Sequence, residues 1–193
     1  MTETNARQTK QIMKLTFREL IIDKSKVDLT RLCSNWSWLL GGQEDLAFVS
    51  MAGDLFFIGQ NDEINWLNTG LGDLVRVADT LEHFEERCRE EENLEYWFLA
   101  SVIEEILKTG VELKENEVFG YHLMPILGGD YSAGNLGPVD IYTHFQITGL
   151  ICQETKDLPE GTTVESRVLE KKVDDTINDS EESAEESAGN RDY

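Results

Sequence analysis

Two histidines and a crowd of glutamates are the residues of this chain whose types could do chemistry. His144 alternates with Asp140, Tyr142 and Gln146, and with His122 on a neighbouring strand it could be drawn as a metal or acid–base site. Two imidazoles without a fixed carboxylate partner are more often simply the wet face of a sheet. No Gly-x-Ser-x-Gly, no Walker lysine pattern and no His-Glu-x-x-His occurs. Gly128-Gly129-Asp130 is followed by neither Lys-Ser nor Lys-Thr, so it reads as a tight turn and not as a phosphate cradle. No cofactor or metal is implied. Trp36 and Trp38 could stack on a ligand, but aromatics at helical spacing usually face a core.

The glutamates are more suggestive. Seven stand between Glu82 and Glu95, against Arg87 and Arg89. Such a run is either a solvated helix face or a negative ridge offered to a cationic partner. On the second reading Glu82, Glu85, Glu86 and Glu90 are the contact residues, joined by the exposed Asp130-Tyr131 loop. The bulk charge points the same way. The chain has 193 residues, 38 acidic and 17 basic, for a net charge of −21. Most of that charge lies outside the acidic tail at 173–193. Nucleic acid and anionic membrane are disfavoured as direct partners, because both attract clustered Lys and Arg. A basic protein is favoured, since the same field speeds its encounter.

The elements that must position these groups follow from pattern. Residues 1–26 form a frayed or partly helical segment, with a helix or a strand possible over 11–22. Asp28 can cap a helix whose face is Leu29, Leu32, Trp36, Leu39 and Leu40 and which stops at Gly41-Gly42. Four short apolar runs, 46–50, 54–59, 63–68 and 74–78, are joined by links too brief for parallel crossovers, so they predict an antiparallel meander. Asp79, with Glu82 three positions on, should cap a helix over 80–92, and Asn93 a second over 94–109 with Leu94, Trp97, Phe98, Val102 and Ile106 on its apolar stripe. A strand is expected over 118–124. A longer one is expected over 139–151, where Ile141, Thr143, Phe145 and Ile147 alternate with polar residues, and Asn135, Gly137 and Pro138 make the turn before it. A last strand is expected over 162–168. The tail, poor in large apolar groups and rich in charge, should stay disordered. The fold class is therefore α+β, a twisted antiparallel β-sheet packed by about three helices, with one domain over 27–172.

Cys33, Cys88 and Cys152 are far apart with no Cys-x-x-Cys pair, which fits reduced thiols in a cytosol. The first twenty residues lack a signal-type apolar core, and no stretch approaches eighteen apolar residues, so a cytoplasmic protein is expected.

Several motifs occur together in order: Gly53-Asp54-Leu55-Phe56-Phe57, then Trp66-Leu67-Asn68-Thr69-Gly70 with Gly72 and Leu74. Gly120-Tyr121 and Pro125-Ile126-Leu127-Gly128-Gly129 with Asp130-Tyr131 follow. His144-Phe145-Gln146-Ile147-Thr148-Gly149, Gln153, Lys156-Asp157-Leu158-Pro159 and Gly161 complete the set. In this the chain resembles, from about Val27 to about Val168, the C-terminal domain of bacterial type VI secretion immunity proteins. The resemblance implies a non-enzymatic protein that binds a cognate secreted toxin, for which a nuclease is one candidate, and blocks it with an acidic surface. The alternative is a small-ligand or regulatory module with a pocket near Tyr121, His122 and His144.

Overall fold

A computed structural model describes residues 15–41, 45–159 and 161–162. Its centre is a five-stranded antiparallel sheet of β1 (Ile21–Ile22), β2 (Asp45–Ser50), β3 (Leu55–Ile58), β4 (Ile64–Asn68) and β5 (Asp73–Ala78), in the order of the chain. The meander is as its short links required. The middle strand β3 is buried on both faces, and its side chains sort by the period of two. Leu55 and Phe57 enter one core with Val49 and Leu67, while Phe56 enters the other with Ile64 and Trp66.

Each face has its own helical cover. On the Phe56 side lie α3 (Leu81–Arg87), α4 (Glu91–Phe98) and α5 (Ala100–Lys108). There Phe84, Trp97 and Phe98 stack among Phe17, Phe48 and Phe56 at centroid distances of 5.0–6.5 Å. On the Leu55 side lie α1 (Leu29–Cys33), a 3-10 turn at Ser34–Trp36, α2 (Ser37–Leu40) and α6 (Ile141–Thr155). Asp28 caps α1 by accepting from Arg31 N, and Gly41 closes α2 in the left-handed conformation, as the pattern implied. Trp36 is fully buried, so its use is packing.

Other boundaries differ from the sequence reading. Thr80, not Asp79, caps α3, its hydroxyl accepting from His83 N at 3.2 Å. Asn93 does not cap a helix; it is buried, and its amide donates to Arg87 O and to Glu90 Oε2. The single helix expected over 94–109 is two, broken at Leu99, whose φ of 52° is left-handed. Glu95 bridges the break by accepting from Ser101 N. Where a helix or strand was open over 11–22, the described part holds a 3-10 turn at Phe17–Glu19 and then β1, and residues 11–14 lie outside the described residues. So do the tail and, apart from Thr162, the strand expected at 162–168.

The main correction concerns residues 136–155. The stretch read as a long strand is helix α6, and the strand is the segment read as its preceding turn, β7 (Leu136–Asp140), which pairs with β6 (Glu117–Tyr121). Pro138 lies opposite Phe119 in this two-stranded ribbon, where the missing N–H can face outward at no cost. In α6 the buried residues are Ile141, His144, Phe145, Thr148, Gly149, Ile151, Cys152 and Thr155, a helical spacing. Three of them are polar, which hid that period and left the β-branched alternation to suggest a strand. Asp140 starts the helix by accepting from Thr143 N at 2.9 Å. Thr148 and Thr155 satisfy their buried hydroxyls on carbonyls one turn back, at 2.7 and 2.8 Å.

Gly149 lets α6 lie against the 3-10 turn, where Asn35 donates to Gln146 O at 3.0 Å. A Cβ at Gly149 would sit 2.6 Å from Asn35 O. Gly149→Ala should therefore lose about 1 kcal/mol net, as overpacking costs of about 1–3 kcal/mol are only partly offset by the ~1 kcal/mol gained in helix propensity. Urea midpoints at unchanged slope would show it, and a more stable variant would refute the close approach.

Candidate functional site

The polar groups the sheet buries come together at one place. Asp54 opens β3's end of the β2–β3 turn and is buried. Its Oδ2 accepts from Trp66 Nε1 at 3.0 Å, and its Oδ1 from Thr69 N at 2.8 Å and Thr69 Oγ1 at 2.9 Å. Thr69 Oγ1 also lies 3.0 Å from Gly53 O and 3.2 Å from His144 Nε2, and that nitrogen is 3.0 Å from Gly53 O. Turn, strand end and helix are thus tied through three side chains with none exposed above a tenth.

Threonine, histidine and aspartate within hydrogen-bonding reach suggest a nucleophile, a base and its orienter. The connectivity is wrong for that. A carbonyl only accepts, so neutral His144 must place its Nε2 proton on Gly53 O, and the nitrogen facing the threonine has no lone pair to act as base. Asp54 binds the threonine and the indole instead of orienting the imidazole. Burial holds His144 down to about 4, against the smaller opposing effect of Gly53 O. Burial also raises Asp54 to about 6, although Thr69 and Trp66 donate to it. Near neutrality the centre therefore holds a neutral ring and an ionised carboxylate with three donors, which is a fastening. Neither Asp54 nor Thr69 was singled out for chemistry from sequence; both stood only within family-like motifs beside Gly53 and Gly70.

The pairing of His144 with Asp140, Tyr142 and Gln146 on one face does not hold, because a helix separates them. Tyr142 turns away and its hydroxyl accepts from Asp28 N at 3.0 Å, with Arg31 4.1 Å above its ring. His122 is exposed while His144 is buried; both border a cleft of about 310 Å³ with Gly120, Tyr121, Met124 and Ile151. Among the described residues no three His, Cys, Asp or Glu groups converge as metal ligands.

The expected contact residues are on the surface. Glu82, Glu85 and Glu86 are exposed on α3, and Glu90 is exposed where it caps α4. Asp130 is exposed and held below the usual carboxylate range by the hydroxyl and amide of Ser132, at 2.6 and 3.0 Å. Tyr131 is exposed beside it, edge-on to Tyr121 at 5.9 Å. Burial raises the Tyr131 phenol, and the charges of Asp54 and Asp73 together with the Tyr96 phenol raise it further, so the loop lies within electrostatic reach of α4.

Residues 78–151 match the family described as T6SS immunity protein Tdi1, C-terminal. The match spans α3 to most of α6 and includes Gly120, His144 and Gly149. No curated protein matches the chain. No helix among the described residues is long and apolar enough to cross a membrane.

Proposed function

We propose that this is a non-enzymatic cytoplasmic immunity protein which binds a cognate secreted toxin and covers its working groove with an acidic face. The observation that carries the reading is the exposure of Glu82, Glu85, Glu86 and Glu90 together on α3 and the start of α4, inside the stretch that matches the immunity family. Their carboxylates would stand where a nuclease holds substrate phosphates, so a basic toxin is the partner this face suits. Asp130 and Tyr131, exposed on their own loop, are the second contact that the reading assigns to the toxin.

The test is association with a candidate secreted toxin, sought first in the neighbouring gene and produced with its catalytic residues inactivated. Changing the four glutamates to lysine should slow association by about one to two orders of magnitude and flatten its salt dependence. An unaltered rate and affinity would dismiss the ridge as a solvated helix face. The His122–His144 cleft supports the rival small-ligand reading. A rise in melting temperature with small metabolites, and none with the toxin, would favour that rival.

A further inference from the structure

Helix α4 buries Leu94, Trp97 and Phe98, yet it leaves Tyr96 68% exposed. The Tyr96 ring stands edge-on to Trp66 at 5.3 Å. Trp66 lies opposite Val75 in the β4–β5 register, so Val75 emerges beside it on the same face of the sheet, 46% exposed, with Asp73 two residues before it. β5 is the sheet's outer strand, so this corner borders an open edge.

The loop carrying Tyr131 reaches the same corner. Leu136, just beyond it, is buried in the core that holds Trp66 and Trp97, and Ala133 packs against that core. Tyr131 is 42% exposed, and both Asp73 and Tyr96 act on its phenol. Around these rings stand Asp73, Asp130 and, one helical turn before Tyr96, Glu92, all exposed.

We propose that Tyr96, Tyr131 and Val75, framed by Asp73, Glu92 and Asp130, form the anchor of the interface and receive an arginine or lysine side chain of the toxin. The inference rests on the immunity reading and deepens it. Carboxylates on an open helix stay hydrated and mainly steer approach, whereas a cation laid on tyrosine faces is partly dehydrated and held. Tyrosine adds contact area at the cost of only two side-chain torsions. The occupant is cationic by charge complementarity: a second copy of this chain would bring another −21 to the contact, and nucleic acid would be repelled.

The experiment uses the full chain and the same inactivated toxin. Tyr96→Ala with Tyr131→Ala should weaken binding at least about tenfold, mainly through faster dissociation, as anchor residues do. Tyr96→Phe with Tyr131→Phe should stay within about threefold, because the ring face is kept. Melting temperatures measured alongside should fall by only a few degrees for the alanine pair, since each ring gives up one edge-on contact, and should be nearly unchanged for the phenylalanine pair. Wild-type binding that the double alanine variant retains in full would overturn the anchor while leaving the immunity reading intact. Failure of the wild type to bind the toxin would overturn both. Sedimentation showing a dimer that the alanine pair abolishes would assign the corner to a second copy and overturn the cationic occupant.

Discussion

Gly53→Ala should lower stability by about 2–5 kcal/mol, a large fraction of the whole in a protein of ordinary stability. Gly53 has a φ of +80°, which costs an alanine about 1–2 kcal/mol. The larger part comes from His144. An added Cβ would sit 2.4 Å from its Nε2 and 2.9 Å from two ring carbons. The ring cannot retreat without leaving Gly53 O and Thr69 Oγ1, and a buried donor left without a partner costs about 1–3 kcal/mol. Gly128→Ala is the control, because Gly128 has a φ of +92° but open space where its Cβ would go. It should lose only the conformational part, about 1 kcal/mol. Thermal or urea unfolding of the two variants side by side decides the matter: equal losses would show that the contact with His144 contributes nothing.

The second large effect is a pair of opposed pH dependences that single substitutions should separate. Asp54 is raised in the folded protein from 3.8 to about 6, so the native state binds its proton more tightly than the unfolded chain does. Stability from this group is greatest below about pH 4 and falls as pH rises towards 6. His144 is lowered from 6.5 to about 4, so here the unfolded chain holds the proton more tightly. Its contribution rises with pH from about 4 to 6.5. Each shift exceeds two units, or about 3 kcal/mol at ~1.4 kcal/mol per unit. Between pH 4 and 6 the two nearly offset. Unfolding free energies of wild type minus Asp54→Asn should therefore fall by about 3 kcal/mol across that window, and wild type minus His144→Gln should rise by a similar amount. The exposed carboxylates are common to both members of each difference and drop out. Flat differences for both variants would mean that neither group is sealed from water.

How far the sequence carried the argument depends on what each segment buries. The meander was legible because its strands are short, its links are brief and Leu55-Phe56-Phe57 fills both faces. The two ends of the helical stretch over 29–40 were legible from Asp28 and Gly41, whereas its division into α1, a 3-10 turn and α2 was not. Residues 136–155 were misread because α6 buries His144, Thr148 and Thr155, and polar residues on an inner face erase the apolar period that marks a helix. Pro138 misled in the same way, since an edge ribbon of two strands tolerates it where a central strand would not. The centre around Asp54 was invisible for a related reason. Its members run from Asp54 to His144, and only the register of β3 and β4 and the path of α6 bring them together. The surface glutamates, in contrast, could be placed from sequence, because a charge run beside a capped helix has nowhere to go but outward.

The cover over Leu55, Phe57 and Leu67 has a consequence for how the protein is made. That cover includes α6, whose last residue is Thr155, so during synthesis the finished meander has only α1, the 3-10 turn and α2 over this side until residue 155 has left the ribosome. Shortened forms ending before residue 155 would leave open to water the part of that side which α6 covers. Any attempt to shorten the molecule must therefore trim elsewhere.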